Sequence, residues 1–280
     1  MSIGSTRVHC AFPNREDEIN YRADGLEEYT QIEDYWMKRE GIIFYPFNRQ
    51  QKAYFFPSAG TNEQVGELEI VSNPAVEQEE FETSVFIAQE AMKQGDFNKV
   101  VLARNELIKK KLDPLDVFSK AKALYPDAFV YLVDLGWEQW LGASPELLLE
   151  YEKGELRTVA LAGTQPLEAQ FGAKEIEEQQ LVEAFIEEKL ELLGLEDFDK
   201  SERMELAFGP IKHLKTDYSV KASAEQAKEA VKHLHPTSAV CGLPRDKSFN
   251  FLSISIDNKS ILLYISCNIQ SFCNLFWYQI

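Results

Sequence analysis

A succession of short apolar segments in the middle of the chain most constrains how it can fold. Five such segments are rich in Val, Leu and aromatic residues and are separated by turn residues: Lys99–Ile108, Ala128–Leu135, Gln139–Ala143, Leu147–Tyr151 and Leu156–Leu161. This pattern predicts β-strands. Apolar residues at helical spacing predict helices in three further segments: Glu79–Gln94, Lys174–Leu193 and Ser223–His233. The chain is therefore expected to adopt an α+β fold.

The charge of the chain narrows its possible partners. The 280 residues carry a formal net charge of −17, whereas binding to phosphate backbones requires clustered Lys and Arg. This balance argues against nucleic acid as a main partner. An anionic substrate is compatible with it if basic side chains or a bound metal ion offset the field locally.

The N-terminus and the cysteines indicate an ordinary intracellular protein. Residues 1–14 lack the apolar run that a secretory signal needs, so a cytoplasmic location is the default expectation. The cysteines are Cys10, Cys241, Cys267 and Cys273, and they form no CxxC pair and no metal-finger spacing with the histidines. We interpret them as free thiols, either buried or at the surface.

The composition changes abruptly near Phe249. Of the 46 acidic residues only Asp257 lies beyond this point, and residues 249–280 contain no Gly, Ala, Pro, Glu or Arg. We interpret this stretch as the product of a different reading frame, an engineered scar or a distinct element. A membrane tail over Ile261–Ile280 is the competing idea, but Asn and Gln residues interrupt the run and are costly in hydrocarbon. No membrane partner is therefore expected.

Lys99 and Glu146 are charged residues in otherwise apolar surroundings. Lys99 opens a strand-like segment, and Glu146 lies at a turn between two such segments. Taken alone, each residue favours an ordinary solvated position. Burial would instead lower the pKa of the lysine and raise the pKa of the carboxyl group, which would let Lys99 act as a base and Glu146 as a general acid.

The segment Thr158–Thr164 and the helix over Lys174–Leu193 offer possible ligand-binding groups. Gly163 would let backbone N–H groups approach an anion beside the Thr164 hydroxyl, although a plain strand-ending turn explains the same residues. A helical wheel places Glu178 near the centre of an apolar face, where a carboxylate must be paired, protonated or bound to a cation. Glu178 is thus a metal-ligand candidate, with stabilisation of the helix N-terminus as the alternative.

Taken together and in this order, these segments resemble the chorismate-utilising enzymes from about Glu79 to Arg245. Two later segments add to the likeness: His213-Leu-Lys-Thr216 is similar to the family's His-Leu-x-Thr element, and the segment from His235 to Arg245 is similar to its His-Pro-Thr-Pro-Ala-Val-x-Gly segment. The resemblance implies a layered α/β sandwich with a large, mostly antiparallel sheet. Lys99 and the Pro-Thr-Ser-Ala-Val run resemble the isochorismate branch, which adds water to chorismate. Relatives that use ammonia, the anthranilate synthases, typically have glutamine at the position of Lys99.

The resemblance also implies roles for individual residues. Lys99 would take a proton from the water that attacks carbon 2 of chorismate, and Glu146 would protonate the hydroxyl group that leaves carbon 4. These roles require the pKa of Lys99 to fall by roughly 3 units from about 10.4 and the pKa of Glu146 to rise from about 4.3. Glu178 and the ring carboxylate of the substrate would bind Mg²⁺. Substrate-binding residues are implied in the same way: Ala162, Gly163, Thr164, His213 and Thr216.

The last part of the chain departs from the family. The family has a glycine-bearing segment, a substrate-binding arginine and a second magnesium glutamate in its C-terminal part, and residues 249–280 contain none of these residue types. Gln179 also differs, since many relatives have histidine there. We therefore expect a chorismate-binding catalytic domain over residues 1–248, incomplete at its C-terminal end, and an atypical apolar tail over residues 249–280.

Three activities are compatible with these residues. The leading expectation is a magnesium-dependent isochorismate synthase whose truncated or frameshifted C-terminal part leaves little activity. A salicylate synthase, which makes isochorismate first, is the nearest alternative. The third is an inactive chorismate-binding homologue. Whether the product would enter quinone or siderophore synthesis stays open.

Overall fold

A computed structural model describes residues 6–13, 18–23, 27–29, 41–47, 53–57, 78–104, 112–135, 139–255, 261–268 and 272–279. These residues form two compact units, each built from several stretches of the chain. The first unit takes its described residues from Met1–Ser72, Lys109–Lys153 and Leu262–Tyr278. The second takes them from Asn73–Ile108, Gly154–Ile261 and Gln279–Ile280. The predicted boundary at residue 248 rests on resemblance rather than on this division, and it stays a prediction.

The described residues form strands and helices in a mixed order. The strands are β1 (Thr6–Ala11), β2 (Glu18–Ala23), β3 (Glu27–Tyr29), β4 (Gly41–Pro46), β5 (Ala53–Pro57), β6 (Lys99–Val100), β7 (Phe129–Asp134), β8 (Gln139–Ser144), β9 (Leu147–Glu152), β10 (Glu155–Pro166), β11 (Asp199–Lys200), β12 (Met204–Phe208), β13 (Ile211–Lys221), β14 (Gly242–Leu243), β15 (Ile261–Asn268) and β16 (Phe272–Gln279). The helices are α1 (Gln78–Lys93), α2 (Pro114–Leu124), α3 (Ala173–Leu192), α4 (Ala224–Leu234) and α5 (Arg245–Ser255).

The first unit is built on antiparallel strands. One sheet has the order β2-β1-β7-β8, and in another β9, β16, β15, β4, β5 and β3 are neighbours in that order. Buried side chains of the first unit form one hydrophobic cluster: Val8, Cys10, Phe12, Ile42, Phe56, Phe129, Tyr131, Val133, Leu135 and Trp140. Alternation along β1 and β7 and the residue that follows each strand supplies most of this cluster, because every second side chain of a strand faces the same side.

Helix α2 closes one side of the first unit, and local residues explain where it begins. The Asp113 carboxylate accepts hydrogen bonds from the backbone N–H groups of Leu115 (2.9 Å) and Asp116 (3.4 Å). Pro114 occupies the first helical position, where its missing N–H group costs nothing. Beside this helix, Glu18 accepts from Lys122 at 2.7 Å and lies 2.6 Å from His9 Nε2.

The backbone of the C-terminal segment takes part in the first unit. β15 pairs antiparallel with β4, and β16 pairs antiparallel with β9. The sequence predicted a domain that is incomplete at its C-terminal end, yet the backbone of the tail pairs with strands of this unit. Segments rich in Ile, Leu and aromatic residues have a high preference for strands whatever their origin.

The second unit packs helices against a long antiparallel pair of strands. β10 and β13 are paired along their length, β11 and β12 both pair with β13, and β6 pairs with β14. Helix α3 contacts β10, β13 and α4. Its contribution to the core consists of Val182, Phe185, Ile186 and Leu190, which are almost completely buried.

The predicted helices of the second unit are confirmed. α1, α3 and α4 begin and end within one residue of the predicted segments. Helix α4 begins after Ser223, whose hydroxyl accepts from the N–H group of Gln226 at 3.2 Å.

The strands predicted from Ala128 to Leu161 are confirmed as β7 to β10. The strand predicted from Lys99 is shorter than expected, since β6 ends at Val100 and residues 101–104 belong to no strand. The rest of that prediction, residues 105–108, lies outside the described residues.

The cysteines and the possible membrane tail can be compared with the described residues. Cys10 and Cys241 are buried thiols, and burial raises the pKa of Cys241 to about 12. The side chains of Cys267 and Cys273 lie outside the description. Among the described residues, no helix has both the length and the apolar composition needed to cross a membrane.

Candidate active site

Lys99 is a buried cation at the start of β6. Its Nζ donates to the carbonyl oxygens of Ser238 at 2.8 Å and Ala239 at 3.4 Å, and 8% of the residue is exposed. Both carbonyls belong to the loop that follows α4. The solvated strand end that a lysine in this position ordinarily indicates is therefore not what the structure shows.

The backbone around Lys99 is held by β14 and α5. Leu243 faces Lys99 in the β6–β14 pair, and the Ser248 hydroxyl donates to the Lys99 carbonyl oxygen at 2.9 Å. Gly242 has a φ of +135°, and a Cβ atom there would lie 2.1 Å from the Lys99 carbonyl oxygen. Glycine is thus required at this position. The segment after α4 therefore contacts both the side chain and the backbone of Lys99.

Glu178, on α3, presents its carboxylate to Lys99. Its Oε1 lies 3.4 Å from Lys99 Nζ, and 33% of its side chain is exposed. The prediction that Glu178 lies at the centre of the buried face is wrong, since the adjacent Gln179 is fully buried instead. The predicted face followed apolar residues alone, whereas the helix also buries Glu175, Gln179 and Glu183 and leaves Leu192 64% exposed.

Thr164 and His213 are partners across the β10–β13 ladder. Thr164 Oγ1 lies 3.0 Å from His213 Nδ1. A bulge interrupts the ladder between Ala162 and Thr164, and Gly163 within it has a φ of +63°. A Cβ atom on Gly163 would lie 2.9 Å from the carbonyl oxygen of Glu175, so glycine permits the close approach of α3. A role of Gly163 in binding an anion stays a prediction.

The electrostatics of His213 link it to Glu178. Burial lowers the pKa of His213 below its usual value, and the Glu178 carboxylate partly opposes this effect. The imidazole is therefore neutral near pH 7, with one nitrogen able to donate and the other able to accept a hydrogen bond. The second unit thus brings together four predicted site residues through contacts or charge: Lys99, Glu178, His213 and Thr164.

Ala162 and Thr216 are placed differently. Ala162 is buried and is paired with Leu214 in the ladder. Thr216 is three positions from His213 on β13, so the two side chains lie on opposite faces. Thr216 is fully buried, and its hydroxyl donates to Glu183 Oε1 at 2.7 Å. The roles of Ala162 and Thr216 in substrate binding stay predictions.

Glu146 lies in the first unit, in the turn between β8 and β9. Its backbone N–H group donates to the Ser144 hydroxyl at 3.2 Å. Glu146 is half-buried, whereas the sequence taken alone favoured a solvated position in a surface turn. Its role as general acid stays a prediction.

A buried cluster around Glu183 was not predicted from the sequence. The Glu183 carboxylate accepts from Arg203 through Nε at 3.0 Å and Nη2 at 2.9 Å, and from Lys200 at 3.3 Å. Burial by itself raises the pKa of Glu183, but hydrogen bonds from Arg203 and Thr216 and the nearby positive charges hold the pKa at about 2. The available signal was an acidic residue between Val182 and Phe185 on the apolar side of the helix.

Among the predicted site residues of the second unit, Glu178 is the carboxylate that could bind Mg²⁺. The described residues contain no group of three or more His, Cys, Asp or Glu side chains that could hold a metal ion. Mg²⁺ is nevertheless often bound through one or two carboxylates, with water and substrate oxygens as the other ligands. Glu178 fits as one such ligand because its side chain reaches solvent. Glu183 does not fit, because Arg203 and Thr216 occupy its oxygens.

Comparison with known proteins identifies the class. The model of a family described as "Chorismate binding enzyme" matches residues 47–255, which is more than half of the chain. The protein therefore belongs to the chorismate-binding enzyme family.

Individual relatives agree with this membership. The chain is 32% identical over 196 residues to the "Salicylate biosynthesis isochorismate synthase" of Pseudomonas aeruginosa, which covers 64% of this chain and 40% of that protein. It is 27% identical over 192 residues to anthranilate synthase component 1 of Aeropyrum pernix, covering 62% and 43% of the two chains. The chain therefore spans less than half the length of these relatives.

A solved structure confirms the predicted fold. The menaquinone-specific isochorismate synthase of Escherichia coli superposes with a TM-score of 0.72 at 16% sequence identity, over 97% of this chain and 78% of that chain. The antiparallel sheets and flanking helices are those of the chorismate-utilising enzymes.

Proposed function

We propose that this protein is an isochorismate synthase, which adds water at carbon 2 of chorismate and releases the hydroxyl group from carbon 4. The observation that carries the proposal is Lys99, a buried lysine whose Nζ lies 3.4 Å from the Glu178 carboxylate. Water is a poor nucleophile near pH 7 and needs a base, whereas ammonia does not. A lysine at this place therefore supports water rather than ammonia as the nucleophile.

The named relatives support the same choice. The Pseudomonas relative is named an isochorismate synthase, while the Aeropyrum relative is named an anthranilate synthase component. The two names belong to reactions on one substrate that differ in the nucleophile. Lys99 favours the first, because the ammonia-using branch typically has glutamine at that position.

Lys99 is held here in a way that favours its charged form. Two carbonyl oxygens and one carboxylate oxygen surround Nζ, and such acceptors stabilise the ammonium. A general base must be neutral before it takes a proton from water. We infer that these contacts are loosened in the substrate complex, so that the desolvated amine can accept the proton as water attacks carbon 2.

The remaining roles are those that the family resemblance implies. Glu146 donates a proton to the departing hydroxyl group, which leaves as water, so that one water molecule is consumed and one is released. Mg²⁺ held in part by Glu178 would supply positive charge for the ring carboxylate of the substrate. The neutral His213 and the Thr164 hydroxyl offer hydrogen bonds to a polar substrate group beside Glu178.

Product analysis tests the proposal. The purified chain would be incubated with chorismate and saturating Mg²⁺, beside a version in which the corresponding segment of the Pseudomonas relative replaces residues 249–280. We expect isochorismate from the second version and a rate at least about 100-fold lower from the first, because losing even one preorganised electrostatic group costs about that much. Comparable rates would contradict the expectation for residues 249–280.

The product identifies the reaction. Salicylate with pyruvate would show the salicylate synthase alternative, and anthranilate formed only with ammonium would show the ammonia-using reaction. Calorimetric binding of chorismate without any product would support the inactive homologue. Each of these outcomes would replace the proposed activity.

A further inference from the structure

The first half of α3, which carries Glu178, is held in place by polar side chains. Within residues 173–181 the buried residues are Glu175 and Gln179, whereas the second half buries Val182, Phe185 and Ile186. The Glu175 carboxylate accepts from the Gly172 N–H group at 2.9 Å, within the helix end itself, and is also hydrogen-bonded to the Gln165 side chain on β10. Gln179 is the buried residue of this half whose bonds reach both β10 and β13.

Gln179 reaches both long strands of the second unit. Its Nε2 lies 3.1 Å from the Ala160 carbonyl oxygen on β10, 3.2 Å from Thr216 Oγ1 on β13 and 3.3 Å from Glu183 Oε1. A primary amide has two N–H groups, so these three acceptors share two donors. Gln179 Oε1 is buried and has no hydrogen-bond partner within the part of the chain that the structure describes. The NH₂ group is thus the part of the side chain that the site uses.

The acceptors for Gln179 are themselves fixed. Ala160 is paired with Thr216 in the β10–β13 ladder. Thr216 donates to Glu183, and Arg203 holds the Glu183 carboxylate through two hydrogen bonds. Because the pKa of Glu183 is held at about 2, this carboxylate stays ionised at any pH at which the protein would act. The groups that accept hydrogen bonds from Gln179 are therefore themselves held in place.

Glu178 and Gln179 are adjacent on the helix, so their side chains diverge by about 100°. With Gln179 directed at β10 and β13, the Glu178 side chain turns away from those strands, and its carboxylate lies beside Lys99 on β6. Rotation of this half of the helix would move Glu178 away from Lys99. The Gln179 bonds, which reach both β10 and β13, resist this rotation together with the bond between Glu175 and Gln165 on β10.

We propose that Gln179 is a positioning residue that sets the rotation of the first half of α3, and thereby the direction in which Glu178 presents its carboxylate. The expected effect on Mg²⁺ binding rests on the proposed function, whereas the attachment of α3 to β10 and β13 through Gln179 does not. Metal ligands are commonly oriented in this manner by neighbouring hydrogen-bonded groups, whose loss costs about 10–100-fold in metal affinity.

Three variants of the full chain test the proposal. Gln179→Leu removes the donors with little change in side-chain size, Gln180→Leu makes the same change at the exposed neighbour, and Gln179→His restores a ring N–H donor. For each variant, Mg²⁺ affinity would be measured by calorimetry without chorismate. Amide hydrogen exchange would be measured separately for residues 173–181 and 182–192.

We expect Gln179→Leu to weaken Mg²⁺ binding at least about tenfold and to speed exchange in residues 173–181 by about tenfold, the factor that corresponds to one lost hydrogen bond. Exchange in residues 182–192 should not change. Gln180→Leu should behave as the parent, and Gln179→His should recover most of both effects.

Unchanged exchange in Gln179→Leu would overturn the proposal, as would faster exchange with undiminished Mg²⁺ affinity. Equal losses in Gln180→Leu, or no recovery in Gln179→His, would also overturn it. If neither the parent nor the version with the replaced C-terminal segment binds Mg²⁺ or converts chorismate, the proposed function fails. Amide hydrogen exchange then tests only whether Gln179 holds the first half of α3 in place.

Discussion

Two glutamates on α3 show how differently one helix can use the same side chain. Glu183 is 8% exposed and is surrounded by Arg203, Lys200 and Thr216. Glu178 is 33% exposed and meets Lys99 at 3.4 Å. The first carboxylate is saturated by hydrogen bonds, and the second has room for a further ligand.

The contrast indicates that accessibility, rather than burial, marks the acidic residue that can take part in chemistry. A carboxylate that accepts several charge-assisted hydrogen bonds keeps its charge and its place, and no oxygen is left for a metal ion. A carboxylate with one long contact can exchange that contact for another. Glu183 thus holds the structure together while Glu178 is open to a cation.

The largest expected effect comes from removing the cation beside Glu178. Lys99→Ala should lower water addition to chorismate by about 10²- to 10⁴-fold, because a general base is lost. It should be measured as the rate of isochorismate formation in the version with the replaced C-terminal segment. Thermal unfolding and chorismate binding serve as controls and should change little. Turnover like that of the parent would remove Lys99 from the mechanism.

Breaking the Glu183 cluster should affect stability instead. Glu183→Gln should lower the free energy of unfolding by about 3 kcal/mol, because Arg203 and Lys200 lose their buried partner. The matched change Glu178→Gln should lower it by less than about 1 kcal/mol, since the contact with Lys99 is partly exposed on the Glu178 side. Urea unfolding of both variants measures the difference. Equal losses would show that the two carboxylates are not distinct in the way described.

Lowering the pH should destabilise the parent protein through protonation of Glu183. Its pKa in the folded protein is about 2, against an ordinary value of 4.5, so the stabilisation by Glu183 is fully present above pH 4.5 and is lost as the pH falls toward 2. The loss amounts to about 3 kcal/mol. Between these pH values the free energy of unfolding should therefore fall more steeply with decreasing pH for the parent than for Glu183→Gln. Identical slopes would place the acid sensitivity elsewhere.

The smallest expected effect concerns magnesium. Glu178→Gln should weaken Mg²⁺ binding at least about tenfold, because an anionic ligand becomes neutral and changes around a metal site commonly cost 10–100-fold. Glu183→Gln, measured by the same calorimetric titration, should change the affinity less. If Glu178→Gln titrates with Mg²⁺ as the parent does, Glu178 is not a ligand.

Local patterns predicted a large part of the fold. Helices α1, α3 and α4 and strands β7 to β10 follow from the spacing of apolar residues, because periodicity is a property of neighbouring residues. β1 to β5 and β11 to β13 were not predicted. Strand β1 is stabilised by pairing with the distant strand β7, and local sequence carries little information about such pairing.

The candidate site was predicted in its residue types but not in its arrangement. Lys99 and Glu178 were named from sequence, and the structure brings them within 3.4 Å. Gln179 was noted only as a departure from the family, and its bonds to β10 and β13 were not foreseen. Glu178 and Gln179 are adjacent polar residues, and the local sequence does not indicate which of them is buried. The choice matters because adjacent side chains on a helix point about 100° apart.

By itself the sequence determined the class of this protein: the alternation of strands and helices, the family, and the lysine that favours water as nucleophile. These depend on residue types and on spacing along the chain. Only the tertiary structure decided that Glu178 is accessible while Glu183 is saturated, and that the loop after α4 holds Lys99. Such properties depend on distances between residues far apart in sequence, as between Lys99 and Ser238, and folding alone brings these residues together.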